Sequence, residues 1–511
     1  MFDIDINKVA EQLLYDPSQP MIFSSGVFLW LFLGFMLIYM LLERKLTARL
    51  LFVTAFSYYF YYKSSGIFFF LLAVVTVSDF LLAKAIYKAQ KPSDSAAEYR
   101  KNSKGRFFLV LSLVIDLALL SYFKYTNFFG EIFASLTGGH FTALDIFLPV
   151  GISFFTFQSL SYTIDVYRGN IKPLHSLLDY AFYVSFFPQL VAGPIVRASD
   201  FIPQIRKPFS ITSEMFGAGV FFVVGGLFKK AIISDYISIN FVERVFDQPT
   251  LYSGFENLMA VYGYALQIYC DFSGYSDMAI GIALLLGFKF PMNFNAPYKS
   301  RSITEFWRRW HISLSSWLKD YLYISMGGNR KGKIRQYMNL VITMLLGGLW
   351  HGASLKFVLW GGIHGVLLVV DKVWKNLFPR LSPVRSRKDT LGKPSILVSA
   401  IGWIVTFHLV CLAWIFFRCD SIDEAMAMLT QIATRFQPQI IVQWFEGYWF
   451  VATLMALGFV LHFIPQRASE WTKSLVTRMP FVLQVLLIVV VIYIVIQIKS
   501  SDVQPFIYFQ F

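Results

Sequence analysis

Two histidines of this chain each follow a tryptophan, and they are the side chains best suited to chemistry. His311 follows Trp310 beside a basic loop, and His351 follows Trp350 inside an apolar stretch with glycines at 347–348. Imidazole has an ordinary pKa of about 6.5, so it accepts or donates a proton at neutral pH. An ionisable residue at membrane depth is a functional hypothesis by default. The two positions therefore indicate acid–base chemistry inside a membrane protein.

Hydrogen bonding also explains buried histidines. For His351, the residues alone leave two interpretations equally open: a catalytic base, or a polar link to a neighbouring helix. The flanking glycines would let a backbone or a substrate approach closely. His364 stands on the returning limb of the same apolar hairpin without a comparable setting. We interpret His364 as a structural hydrogen bonder.

A short charged helix is predicted around His311. Thr304 would cap this helix, and Trp307, His311 and Ser315 would then follow one another at intervals of four residues on one face. Its charges make it unsuited to crossing lipid, so it should lie at the interface or against a polar cavity. The residues alone favour an interfacial amphipathic helix over a catalytic role for His311.

Two carboxylates, Asp271 and Asp277, stand between the apolar runs Leu258–Tyr269 and Met278–Phe288. Either could orient a histidine or line a polar tunnel. Both could instead cap helix ends at the membrane surface. The pattern does not choose between these interpretations.

Composition places most of the chain in lipid. Hydrophobic residues make up 56% and charged residues 15%, whereas soluble proteins have roughly 25% charged residues; the mean hydropathy is +0.56. The formal charge of +14 comes from basic residues in short loops, which favours membrane orientation over nucleic-acid binding. Membrane lipids are therefore the expected surroundings, and no nucleic-acid partner is expected.

Apolar runs recur along the whole chain and predict an all-α polytopic membrane protein. We expect about a dozen transmembrane or re-entrant helices around a central tunnel, since several runs are short or interrupted by proline. The interruptions are Phe187–Pro194 and Phe290–Pro297. Between Lys299–Arg335 and Lys372–Lys393, both basic and so expected in the cytoplasm, the chain must enter the membrane and return, with the turn predicted at Gly347–Gly352.

Several common sites are not indicated. The three cysteines have no metal-type spacing, so neither a metal site nor a disulfide framework is expected. The loop Gly327–Gly332 lacks the spacing of a phosphate-binding loop. There is also no Gly-x-Ser-x-Gly motif that would supply a serine nucleophile.

Several motifs in order resemble one family. They are Leu148–Gln158, Phe187–Ile195, Asp271–Asp277, Trp310–Tyr323, Gly327–Arg330 and Gly348–Ala353. Together they resemble the membrane-bound O-acyltransferase family, over a core of about residues 148–365 within a single polytopic domain of residues 1–511. Within that family, the loop Gly327–Gly332 and the segment Trp350–Ser354 resemble the branch that O-acetylates bacterial polysaccharides such as alginate.

The resemblance implies a function and roles for residues. It implies that His351 is the catalytic histidine and that His311 is a second important residue. Residues expected to bind substrate or line the tunnel are Trp350, Trp310, Ser315, Asp271 and Asp277. The acyl group, by this resemblance acetyl, would come from a cytoplasmic thioester such as acetyl-CoA or an acyl carrier protein, with no bound cofactor and no metal. The acceptor would be a surface polysaccharide or an extracytoplasmic acetyltransferase partner, and the protein would be a multi-pass protein of the cytoplasmic (inner) membrane. Transfer of D-alanine to teichoic-acid-type polymers, or transport of a polysaccharide precursor without catalysis, are the alternatives.

Overall fold

The computed structural model describes residues 11–17, 20–90, 103–208, 210–384 and 394–498. The described residues form helices and connecting segments, with no strand among them, so the all-α prediction is confirmed. In chain order the helices are α1 Gly26–Leu41, α2 Leu46–Ser65, α3 Phe69–Gln90, α4 Ser103–Leu120, α5 Thr126–Thr137, α6 Ile152–Arg168, α7 Leu177–Ser185, α8 Phe187–Leu190, α9 Ala198–Ile205, α10 Ser213–Leu227, α11 Asp235–Ile237, α12 Glu243–Asp247, α13 Gly254–Leu285, α14 Ile303–Arg309, α15 Ile312–Trp317, α16 Lys333–His351, α17 Leu355–Leu377, α18 Ile396–Arg418, α19 Ile422–Thr434, α20 Ile441–Gly447, α21 Trp449–Phe463, α22 Gln466–Arg478 and α23 Phe481–Ile498.

Among the described residues, five helical runs are long and apolar enough to cross a membrane. They are Leu46–Gln90, Ser103–Thr137, Ser213–Asp247, Leu355–Leu377 and Ile396–Arg418. The number rises to seven if each of two sharply bent helix pairs, at residues 438–463 and 466–495, is one span. A bend or a change of helix type is tolerated in lipid where neighbouring helices satisfy the backbone. The protein is therefore a multi-pass membrane protein.

The chain divides into two compact units. Of the described residues, the first unit takes those up to 219 and 278–291, and the second takes 220–277 and 292–498. In the first unit, the interruption Phe187–Pro194 begins with the four-residue helix α8, which is buried. The ring of Phe187 packs against several aromatic rings there, including Phe35 at 5.6 Å and Phe56 at 5.1 Å between centroids. The broken helix thus places an aromatic side chain in the core of this unit.

In the second unit, α16 and α17 form the apolar hairpin that the sequence predicts. A Cβ added at Gly348 would collide with the carbonyl oxygen of Phe357, and one at Gly361 with the carbonyl oxygen of Met344. Small residues at such crossings let two membrane helices approach to backbone contact. The turn begins only after His351, which is the last residue of α16. The turn predicted at Gly347–Gly352 is thus placed too early, because Gly348 belongs to the crossing of the two helices and not to the turn.

The helix α13 corrects a second expectation. The apolar runs Leu258–Tyr269 and Met278–Phe288 do not form separate segments, because α13 runs unbroken through both, from Gly254 to Leu285. Asp271 and Asp277 lie in its interior, so the interpretation that they cap helix ends is wrong. Ion pairs with lysines of the second unit compensate both carboxylates, and this lets the helix continue through them.

Candidate active site

The helix expected around His311 is broken at that residue. It consists of α14, which ends at Arg309, and α15, which starts at Ile312. His311 between them has φ 41° and ψ 56°, the left-handed region that residues other than glycine seldom adopt. The interval-of-four arrangement of Trp307, His311 and Ser315 on one continuous helix is therefore wrong. Thr304 is not the cap either, because the Ser302 side chain accepts the N–H of Glu305.

The break has a backbone cause. The N–H of Asn295 donates to the carbonyl of Arg309, and the N–H of Ile312 donates to the carbonyl of Asn293, both at 2.9 Å. These two hydrogen bonds join residues 293–295, before α14, to residues 309–312 at its end. They take the place of the hydrogen bonds that would continue the helix. Non-glycine residues in the left-handed region cost about 1–3 kcal/mol and cluster at functional sites. The strained backbone conformation of His311 is thus held by the hydrogen bonds of Arg309, before it, and Ile312, after it.

Asn293 determines which nitrogen of His311 carries the proton. Its Oδ1 accepts the backbone N–H of Ser313 at 3.2 Å and the Ser313 hydroxyl at 2.8 Å, which identifies that atom as the oxygen. His311 Nδ1 lies 3.2 Å from the same Oδ1 and must be the donor. The neutral ring then keeps a lone pair on Nε2, and Nε2 has no hydrogen-bond partner among the described residues. His311 therefore presents a buried basic nitrogen.

A second hydrogen bond fixes Asn293 itself. Its Nδ2 donates to the hydroxyl of Ser276 on α13 at 3.1 Å, and both side chains are buried. Helix α13 also supplies Phe272, whose ring meets the His311 imidazole edge-on at 4.6 Å between centroids. His311 is 0% exposed. The imidazole is thus held by polar contacts on one side and by an aromatic ring on another.

His351 sits among aromatic rings. Its imidazole lies 5.0 Å from the ring of Trp350, 5.0 Å from Trp360 and 5.4 Å from Phe417, each between centroids. It is 3% exposed. Trp360 comes from α17 and Phe417 from α18, so three helices position this one side chain. Access for a substrate therefore requires side chains around it to move.

The ring of Trp350 links the two histidines. It lies 6.1 Å from His311 and 5.0 Å from His351. Because His311 is close in sequence to the basic loop 299–335, the sequence predicts that it lies nearer the cytoplasm than His351. The structure brings His311 to the end of α16 that carries His351.

Trp310 and Ser315 form part of the wall beside His311. The Trp310 ring stacks on Phe306 at 5.6 Å and contacts Trp414 of α18 at 5.0 Å. The Ser315 hydroxyl donates to the carbonyl of Trp310 at 3.3 Å. The hydroxyl thus supports the break in the helix.

Asp271 and Asp277 face lysines that follow one another in the chain. Lys230 Nζ lies 2.5 Å from Asp271 and 2.8 Å from Asp235, and Lys229 Nζ lies 2.6 Å from Asp277. The two lysines belong to a π-helical stretch, Phe228–Ser234, that follows α10. A buried charge without a partner is costly, so these pairs depend on one another. They place polar groups along α13 on either side of Phe272 and Ser276.

Sequence reasoning missed the groups that surround the two histidines and those that pair with the two carboxylates. They are Asn293, Ser276, Lys229, Lys230, Trp360, Trp414 and Phe417. Only Asn293 carried a usable signal, because it is a polar residue inside the proline-bracketed interruption Phe290–Pro297. Ser276 lies inside the motif Asp271–Asp277 but was not singled out there, and the others lie in ordinary apolar or basic stretches.

The interpretation of His364 is confirmed. Its Nδ1 accepts the indole N–H of Trp307 at 3.3 Å, and its ring is 0% exposed. It stacks nearly parallel to Phe306, with 6.1 Å between centroids. This histidine joins α17 to α14.

Several known proteins are similar to this chain in sequence. The profile of the membrane-bound O-acyltransferase family matches residues 170–398. The chain is 41% identical over 415 residues to the probable alginate O-acetylase AlgI of Pseudomonas aeruginosa, covering 80% of this chain and 74% of that protein. It is 40% identical over 354 residues to the peptidoglycan O-acetyltransferase of Helicobacter pylori, covering 64% and 65%. It is 28% identical over 282 residues to the teichoic acid D-alanyltransferase of Bacillus subtilis, covering 52% and 68%.

These matches agree with the geometry of two histidines beside one buried tryptophan in an all-helical membrane protein. The resemblance inferred from the motifs is confirmed by the profile and by relatives at about 40% identity over most of the chain. The chain belongs to the membrane-bound O-acyltransferase family and is an O-acyltransferase.

Proposed function

We propose that this enzyme passes an acetyl group from a cytoplasmic thioester, across the inner membrane, to a hydroxyl of a surface polysaccharide or of an extracytoplasmic partner protein. The observation that carries this proposal is the pair of buried imidazoles that both lie beside the ring of Trp350. One has a lone pair fixed at Nε2, and the other ends a helix whose opposite end is basic.

The length of α16 separates its basic start from His351. Its 19 residues extend about 28 Å at 1.5 Å per residue. Lys333 and Arg335 stand at its start and His351 at its end. By the distribution of basic loops, the start faces the cytoplasm. A donor that enters from the basic side would then meet an acceptor near His351.

In the proposed reaction, His351 accepts the proton of the acceptor hydroxyl as its oxygen attacks the thioester carbonyl. The C–O bond forms, the C–S bond breaks, and the departing thiolate takes the proton from the imidazole. Thioester and alcohol thus become ester and thiol, with no other reactant. His311 Nε2 would hold the donor or the acceptor through its lone pair, and Trp350, Trp310, Ser315, Asp271 and Asp277 would form the surrounding path within one membrane domain.

The names of the relatives favour acetyl as the group and a glycan as the acceptor. Two relatives named for O-acetylation of alginate and peptidoglycan are 41% and 40% identical, against 28% for the one named for D-alanyl transfer. Acetyl-CoA and an acetylated carrier protein are both suitable donors. D-alanyl transfer is the second candidate.

The experiment is deletion and complementation. Loss of the protein should remove an acetyl ester from the surface polymers, detected by mass spectrometry after mild alkali. His351→Ala should fail to restore it, with a loss of about 10³-fold or more in transfer by the purified enzyme, since acid–base groups supply about 10²–10⁴-fold.

The matched control is His364→Gln, which changes another buried imidazole of the same unit. It should keep most of the activity per folded, inserted molecule. Full acetylation by His351→Ala would contradict the role of that residue, and loss of alanyl in place of acetyl groups from the polymers would establish the second candidate.

A further inference from the structure

A cavity of about 390 Å³ opens in the second unit, and none of its lining residues is among those that contact His311 or His351. It forms where residues 250–256, at the start of α13, meet the end of α19 and the segment that follows. Two bonds hold its walls together: the N–H of Gly254 donates to the carbonyl of Arg435 at 2.9 Å, and Gln431 Nε2 donates to the carbonyl of Thr250 at 3.1 Å.

The cavity has aromatic walls with polar edges. Trp444, Tyr252 and Tyr448 line it. Trp444 is 4% exposed, and its indole N–H has no acceptor among the described residues. Contacts with Phe241 at 5.4 Å and Phe255 at 5.8 Å hold its ring. Flat amphipathic rings with a spare donor suit a ligand that has both C–H faces and hydroxyl groups.

The charges of the lining favour an anionic ligand. Arg435 is exposed, and its guanidinium has no carboxylate partner among the described residues. Glu256 also faces the cavity, but its carboxylate accepts the backbone N–H and the hydroxyl of Ser253, both at 2.9 Å. Gln437 and Gln443 add amide donors and acceptors. A guanidinium binds a carboxylate through two parallel hydrogen bonds.

The cavity lies at the same end of the second unit as His351. Phe417, near the end of α18, packs on His351, and Lys356 donates to the carbonyl of Cys419 at 2.9 Å. The next residue of that helix end, Arg418, pairs with Asp247 at 3.4 Å, three residues before the cavity wall begins. The basic start of α16 is at the opposite end of that helix.

We propose that this cavity binds a carboxylate-bearing stretch of the acceptor polysaccharide. That the bound sugar is the acceptor of the acyl group rests on the proposed function, whereas the binding of an acidic sugar by this cavity does not. A sugar chain anchored here would keep its neighbouring hydroxyls at the end of the unit where His351 lies.

Binding can be measured without acyl transfer. The purified full-length chain in lipid nanodiscs, with no thioester present, should bind a fluorescent hexasaccharide of uronic acid more tightly than a neutral hexasaccharide of glucose. Arg435→Gln should weaken uronate binding by roughly tenfold, since hydrogen bonds to charged groups are among the stronger ones. Trp444→Phe, which removes the N–H together with the five-membered half of the indole but keeps an aromatic ring, should weaken it by roughly threefold to fivefold.

Two controls separate this site from the reaction. Arg330→Gln removes an exposed guanidinium from the loop before α16 and should leave binding unchanged, and His351→Ala should bind as the wild type does. Equal affinity for the two sugars, or unchanged uronate binding by Arg435→Gln, would overturn the proposal. Suppose that uronate binding depends on Arg435 as predicted, but that cells lacking the protein keep the acetyl esters of their surface polymers. The binding site is then supported and the proposed function is contradicted.

Discussion

His311 and His364 are both fully buried histidines of the second unit, yet their hydrogen bonds assign them opposite tautomers. His311 donates from Nδ1 to Asn293 and keeps a lone pair on Nε2. His364 accepts at Nδ1 from Trp307, so its proton must lie on Nε2. Neither Nε2 has a partner among the described residues. At Nε2, the His311 ring therefore offers a basic lone pair, and the His364 ring offers an N–H donor.

The difference shows that burial alone does not identify a catalytic histidine. Both imidazoles lie in aromatic surroundings, and both occur in the stretch that the family motifs single out. What separates them is the neighbour of Nδ1, an amide oxygen for one and an indole N–H for the other. In metal and protease sites the partner of one ring nitrogen likewise decides the function of the other.

Within this comparison, the largest effect is expected from replacing His311 by phenylalanine, with the same replacement at His364 as its counterpart. His311→Phe should lower the turnover of the purified enzyme by roughly 100-fold, since it removes a positioned basic nitrogen. His364→Phe keeps the stacked ring and should lower turnover by less than about threefold, at some cost in stability. Equal losses per folded molecule in the two variants would break the comparison.

Asn293 tests whether the tautomer matters. Asn293→Leu leaves His311 without its acceptor and should reduce turnover by roughly tenfold to 100-fold, in the range observed for outer-shell partners of histidines. Asn293→Asp keeps an acceptor oxygen and should restore part of the activity.

The pH profile separates this role from a structural one. The carboxylate in Asn293→Asp stabilises the protonated imidazole of His311. As the pH falls, the neutral imidazole is then lost at a higher pH, so the acid limb of the pH–rate profile should shift to higher pH. If the profile of Asn293→Asp superimposes on that of the wild type, Asn293 only supports the fold.

The smallest effect is expected at Trp307. Trp307→Phe removes the N–H that His364 accepts and leaves a buried acceptor unsatisfied, at a cost of about 1–3 kcal/mol. The melting temperature in detergent should fall, while turnover at a permissive temperature stays within about twofold of wild type, because His311 is untouched. A large loss of turnover without a change in melting temperature would mean that His364 takes part in the reaction.

The fold class and the positions of the two principal histidines could be predicted from the sequence. Apolar runs indicated helices in lipid, and the paired Trp-His motifs located His311 and His351. Sequence reasoning failed where distant segments override local preference. The helix around His311 looked continuous because Glu305 and Arg309 do form the expected pair, at 2.8 Å, and nothing local marks Trp310 as its end. The sequence could not decide whether Asp271 and Asp277 cap helix ends, because their lysine partners lie more than 40 residues upstream.

Composition and motif order by themselves determined that this chain is an all-helical membrane enzyme of one family, since lipid leaves the backbone few other structures. Only the tertiary structure decided which nitrogen of His311 is basic, that the two Trp-His pairs meet at one tryptophan ring, and that α13 runs through its carboxylates. Each of these depends on a partner brought close by folding, Asn293, Trp350 or the Lys229–Lys230 pair. Hydrogen bonds and ion pairs act over a few ångströms in space, whatever the separation along the chain.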